Sequence, residues 1–163
     1  MSYVVIGSSG HHLEVHVLIS QTAEYALRAA VALAKETEPI VTNRLAEITQ
    51  IPVGYLYKVL QQLRRGGLVR SQRGLNGGFT LALSPKKMTI LAVLNAVDPP
   101  RRIRECPLNL EEHQAMLCPL HKKIDDALAA TEKAFGKTTL ADLLTDHRRP
   151  TPLCGIRRKG RKR

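Results

Sequence analysis

Residues 51–81 read IPVGYLYKVLQQLRRGGLVRSQRGLNGGFTL, and the fold turns on this stretch. Ile51-Pro52 breaks whatever helix precedes it, because proline lacks the N–H that a helix interior needs. Proline suits the first turn of a new helix. From there Leu56, Val59, Leu60 and Leu63 recur at helical spacing and form one apolar stripe. Gly66-Gly67 ends the helix at about Arg65, since glycine relieves the left-handed cap position. Two short strands are predicted next, Leu68 to Gln72 and Phe79 to Leu83. Between them Gly74-Leu75-Asn76-Gly77-Gly78 is a glycine-rich hairpin loop.

Upstream, Ala23, Leu27, Ala30, Val31 and Ala34 fall on one face of a helix that Ser20 caps, with Glu24 in its first turn. A short helix from about Asn43 to Thr49 follows Thr42. Downstream, Pro85 closes the hairpin, and a helix from Ile90 to Val97 begins after Thr89 and stops at Asp98-Pro99-Pro100. Helix, short helix, turn, helix, hairpin is the order of a winged helix-turn-helix. The predicted fold class is mainly α with a small β-hairpin wing, followed by a long C-terminal dimerisation helix. That helix runs from about Pro119 to Phe135, with Leu120, Ile124, Ala127, Leu128 and Thr131 near coiled-coil spacing, and Gly136 ends it. Thr138 or Thr139 caps a last short helix containing Leu140, Leu143 and Leu144.

Four segments follow from this reading. Residues 1–17 show no usable period and read as a flexible extension or a mis-assigned start. Residues 18–100 are the DNA-binding domain, 101–147 a cysteine loop plus the dimerisation helix, and 148–163 a basic tail expected to be disordered.

The chain has 163 residues, a formal charge of +11 and a pI of about 10.0. Excess positive charge favours a polyanion as partner. Aromatics make up only 4%, which argues against single strands stacked on aromatic platforms. No window is apolar enough to span a membrane, and the opening Met1-Ser2-Tyr3-Val4-Val5-Ile6 lacks the basic start of a signal peptide. A cytoplasmic location is expected. No phosphate loop, nucleophile elbow or paired zinc-hydrolase pattern is present, so the chain is read as a non-enzyme.

On the helix from residue 53, Tyr55, Tyr57, Lys58, Gln61 and Gln62 lie opposite the apolar stripe, placed to meet base edges in a major groove. Arg64, Arg65 and Arg70 are placed to meet phosphate, which fixes register. The wing carries Arg73 at its root, where an arginine can enter a narrow minor groove, and Asn76 at its tip.

Three separate stretches resemble the Rrf-two (Rrf2) family of winged helix-turn-helix regulators, the group that contains IscR and NsrR. They are Leu18-Ile19-Ser20-Gln21-Thr22-Ala23-Glu24-Tyr25-Ala26-Leu27, the run Ile51-Pro52-Val53-Gly54-Tyr55-Leu56 with Leu60-Gln61-Gln62-Leu63 and Gly67-Leu68-Val69, and the wing Arg73 to Leu81. The resemblance covers about residues 18–145 and sets the start near Val17. It implies a homodimer built on the long helix, a roughly palindromic double-stranded DNA operator, Arg73 in the minor groove and no small-molecule substrate. Where iron–sulfur members often carry a base-reading acidic residue, this chain has Tyr57, so an operator sequence is not carried over.

Cysteines stand at 106, 118 and 154, an odd count without the pattern of a disulfide scaffold. Cys118 and His121 are three residues apart, so on a helix both can face one ion, with Cys106 arriving from the loop. Thiolate and imidazole suit zinc or an iron–sulfur cluster. A thiol switch between Cys106 and Cys118 near Arg101, Arg102 and Arg104 is also open, as is simple packing. In IscR-type regulators the ligands are three cysteines and, in some members, a histidine. By that resemblance Cys106, Cys118 and His121 match, while Glu112, beside His113, stands where the middle cysteine is expected. Glu112 or His113 is then the candidate fourth ligand of a [2Fe–2S] cluster, and Cys154 a bystander. The function expected is a sequence-specific DNA-binding transcription regulator, a repressor, sensing iron–sulfur status, redox state or nitric oxide through this Cys/His site. The alternative is a metal-free or zinc-bound DNA-binding protein with little sequence preference.

Overall fold

Ser20 starts the first helix, α1 (Gln21–Ala34), by accepting a hydrogen bond from the Ala23 amide at 3.2 Å. Seven small or branched apolar residues of α1, from Ala23 to Leu33, are buried. This alanine-rich surface lets α1 run through the middle, packed on four other helices and one wing strand. The structure, a computed structural model, describes residues 3–6, 12–15, 19–74, 77–108, 110–111 and 115–154, the first two segments as backbone alone.

Helix α2 (Thr42–Thr49) ends in the left-handed residue Gln50, with φ of 56°. Buried Ile51 and exposed Pro52 then redirect the chain into α3 (Val53–Arg65). Leu56, Val59, Leu60 and Leu63 are all buried, as the stripe requires. Gly66 is needed where α3 meets a neighbour, because a Cβ there would lie 2.8 Å from Ala96 Cβ.

The tail of α3 leads into an antiparallel hairpin. The wing pairs β3 (Val69–Gln72) with β4 (Gly78–Leu81) in the register Val69↔Leu81. The wing is also tied to the loop before α2. Ile40 N–H donates to Phe79 O at 3.0 Å, and Phe79 N–H donates to Ile40 O at 2.9 Å. Gly78 permits this approach: its φ is 154° and an added Cβ would meet the Ile40 carbonyl carbon at 2.6 Å. A 3₁₀ turn at Pro85–Lys87 precedes α4 (Ile90–Val97), capped by Thr89. A strap without regular structure covers residues 99–104, and α5 (Pro119–Lys137) and α6 (Leu140–Thr145) complete the chain.

Several expectations are corrected. Within residues 1–17, β1 (Tyr3–Ile6) pairs antiparallel with β2 (His12–Val15), which the sequence reading did not predict. The β-branched run Val4-Val5-Ile6 has strand propensity without needing alternation. Gly136 does not end α5, which continues to Lys137; the glycine lets α5 approach Leu91, whose Cδ2 lies 3.4 Å from a hypothetical Cβ. The boundary at residue 100 divides a continuous core, because Leu140 is fully buried with Met88 and Val93. Its amide donates to Met88 O at 2.8 Å, and a Thr139–Asp142 capping box starts α6. The basic tail is ordered in its first part: Thr151 to Cys154 form a turn, Leu153 packs on the core and Lys35 Nζ donates to Pro152 O at 3.1 Å. Residues 155–163 lie outside the described residues.

Candidate nucleic-acid interface

Burying Leu56, Val59, Leu60 and Leu63 turns the opposite face of α3 outward. Tyr55 and Tyr57 are 54% and 55% exposed, so neither serves the core. Lys58, Arg64 and Arg65 are exposed, and Gln61 and Gln62 are half-buried. Tyr55, Tyr57, Lys58, Gln61, Gln62 and Arg65 line one shallow concavity, which Thr22 from the start of α1 also enters. Arg70 and Arg73 are exposed on the wing. Asn76 lies outside the described residues.

Two parts of this surface are linked. Arg64 Nη1 donates to Ser71 Oγ at 3.3 Å, so the end of α3 reaches the first wing strand. The stretch from residue 48 to residue 97 holds no acidic residue and seven basic ones: Lys58, Arg64, Arg65, Arg70, Arg73, Lys86 and Lys87. With no carboxylate among them, their fields add, which raises the local attraction for a polyanion.

A support on α1 went unread in the sequence. Tyr25 meets Tyr55 edge to face, with ring centroids 6.3 Å apart, and Lys58 Nζ sits 5.7 Å from the Tyr55 centroid. Arg28 lies 5.4 Å over Tyr25, pairs with Glu24 and donates to Thr49 O at 2.8 Å. Gln21 Nε2 donates to Tyr25 Oη at 2.8 Å. Arg28 thus connects α1 with the turn before α3, and Tyr25 braces Tyr55 from behind. The available signal was Gln21, Tyr25 and Arg28 at helical spacing off the apolar face.

At the start of α5, Cys118 is the N-cap residue and its Sγ lies 3.4 Å from His121 Nδ1. Cys106 is buried. Glu112 and His113 lie outside the described residues. Among the described residues no three His, Cys, Asp or Glu side chains form a metal-holding group. Cys106 is therefore not gathered with Cys118 and His121 as expected. Of the candidate cluster ligands, the described residues bring only Cys118 and His121 together. Cys154 is exposed, and no disulfide links the three cysteines. Arg102, on the strap that leads to Cys106, pairs with α5: its Nε donates to Asp125 Oδ1 at 2.5 Å and its Nη2 to Oδ2 at 2.6 Å. Those hydrogen bonds from Arg102 hold the Asp125 carboxyl down to about 2.

The Rrf2 family model, described as an iron-dependent transcriptional regulator, matches residues 19–146. The HTH-type transcriptional regulator NsrR of Halalkalibacterium halodurans is 30% identical over 133 residues, 78% of this chain and 90% of that one. IscR of Vibrio parahaemolyticus is 28% identical over 131 residues, 79% of this chain and 78% of that one. Among solved structures, CymR, the global cysteine regulator of B. subtilis, superposes with a TM-score of 0.66 at 27% identity, covering 77% of this chain and 94% of that one. No helix among the described residues is long and apolar enough to cross a membrane.

Proposed function

Because the chain belongs to the Rrf2 family of transcriptional regulators, we propose that it is a homodimeric repressor that reads a roughly palindromic operator in duplex DNA. The observation that carries this reading is the acid-free surface of α3 and the wing, joined by Arg64 and Ser71. In this reading α3 enters the major groove with Tyr57, Lys58, Gln61 and Gln62 toward base edges. Tyr55, braced by Tyr25, holds the start of α3 in place and meets the backbone. Arg64, Arg65 and Arg70 meet phosphate, while Arg73 enters the minor groove.

Pairing is supported by the outer face of α5, where Leu120 is 65% and Ile124 42% exposed one turn apart. An apolar pair left in water at helical spacing suits a second copy of the same helix. Sensing is assigned to the segment from Cys106 to His121, on the strength of the Cys118–His121 contact. The iron, sulfide and zinc content of protein purified without oxygen tests that assignment, and a chain free of all three removes metal from it.

The decisive experiment is selection of duplexes from a random-sequence pool, followed by binding at several salt concentrations. A sequence-specific regulator prefers its selected duplex over random DNA by roughly a thousandfold or more at moderate salt. Arg73→Ala should lower affinity for the selected duplex and reduce the salt slope by about one unit. A ratio near unity with steep salt dependence would instead identify a sequence-blind DNA-coating protein.

A further inference from the structure

Asp125 is the one residue of α5 that is buried, and it is charged. It accepts three hydrogen bonds from the strap: the forked pair from Arg102 and one from the Ile103 amide at 3.0 Å. Arg102 Nη1 also reaches Glu132 at 3.5 Å. Burying a carboxylate is unfavourable unless it is paired this fully. A forked guanidinium–carboxylate pair fixes an angle as well as a distance, which apolar contact does not.

The place of this pair gives it a task. The C-terminal half of α5 rests on α4, with Leu128 and Phe135 near Leu94. The N-terminal half projects beyond that support and exposes Leu120 and Ile124. The contact beneath is incompletely filled: a cavity of about 190 Å³ lies between Leu94, Pro99, Arg101, Leu128 and Phe135. Close packing is what normally fixes the angle between helices, and beside this open cavity it is less complete. Asp125 stands where the supported half gives way to the projecting half. It grips the strap three residues before Cys106.

We propose that Asp125 is a positioning residue: by holding Arg102 and the Ile103 amide it fixes the tilt of the projecting half of α5, and so sets the separation of the two recognition helices in the paired protein. The inference rests on pairing through α5 as read above. It places the strap leading to Cys106 in mechanical contact with half-site spacing.

The test uses the full chain and the duplexes that the wild-type protein selects from a random pool, remade with base pairs added or removed between half-sites. In Asp125→Asn the preference for the selected spacing should fall by about tenfold, while affinity for a single half-site stays unchanged. Amide exchange in residues 101–106 should quicken, with α1 to α4 unaffected. Arg102→Lys should behave similarly, because lysine cannot make the fork, and Asp125→Glu should keep part of the preference. An intact spacing preference in Asp125→Asn despite faster exchange in the strap would overturn the proposal. So would an equal loss on every duplex, single half-sites included, which marks a merely structural residue. Selection of unpaired sites by the wild-type chain would overturn the pairing reading and this one with it. The two failures are told apart by whether the wild-type protein or only the variant lacks a spacing preference.

Discussion

Helices α3 and α5 present opposite solutions to the same problem. Each carries an apolar stripe at helical spacing, yet α3 buries all four of its stripe residues and α5 buries only a carboxylate. The stripe of α3 is satisfied inside one chain, against α1, α2 and α4. That of α5 is covered on one side only, and its outer residues Leu120 and Ile124 are exposed. Burial within the chain fixes the orientation of α3, while a polar clasp from Arg102 ties α5 to the strap.

The contrast is broken most directly by truncating one leucine on each helix. Leu60→Ala removes a fully buried side chain and should cost roughly 2–5 kcal/mol in urea unfolding. Leu120→Ala, at 65% exposure, should leave the unfolding of dilute, unpaired chains within about 0.5 kcal/mol of wild type but weaken self-association in sedimentation. Equal costs in dilute unfolding would mean that α5 is packed within the chain after all. Next in size is Gly78→Ala, which forces a side chain against the Ile40 backbone at a positive φ. It should destabilise by roughly 1–3 kcal/mol and speed amide exchange at Phe79, leaving the helical circular dichroism nearly intact. The smallest effect is confined to acid. The Asp125 carboxyl is held at about 2 against a usual 3.8 by its bonds from Arg102. A depressed folded-state pKa contributes stability that is complete above about 3.8 and disappears as pH falls through about 2. Wild-type stability should therefore drop across that window more steeply than that of Asp125→Asn, and parallel curves would remove the pair from the ledger.

The same contrast explains what was legible in the sequence. The stripe of α3, the stop at Gly66-Gly67 and the caps Ser20 and Thr89 are local signals that core burial enforces, so reading them placed α1, α3, the wing and α4. The exposed residues of α3 followed by subtraction. The Tyr25–Tyr55 contact did not, because it depends on how α1 crosses α3, which no local spacing encodes. Arg102 and Asp125 are 23 residues apart, and each alone resembles a solvated surface charge. The short α6 was visible, but its return to the core was not, since Leu140 has the same local pattern whether it faces a partner or Met88. At the cysteines, spacing alone located Cys118 beside His121, and the burial of Cys106 depended on the path of the strap.

The insertion of Leu140 into the winged core has a mechanical consequence. Beyond Lys137 the chain turns straight back: Thr138 O accepts from Ile90 N–H at 2.9 Å and Thr139 bridges to Thr89. Helix α5 is thus an arch with both feet on one block, through the strap at its front and α6 at its rear. An arch of this kind transmits small tilts faithfully and forbids large swings, because a swing would have to extract a fully buried leucine first. Lifting the rear of α5 away from the winged core would therefore cost the burial of Leu140 as well as the two backbone ties.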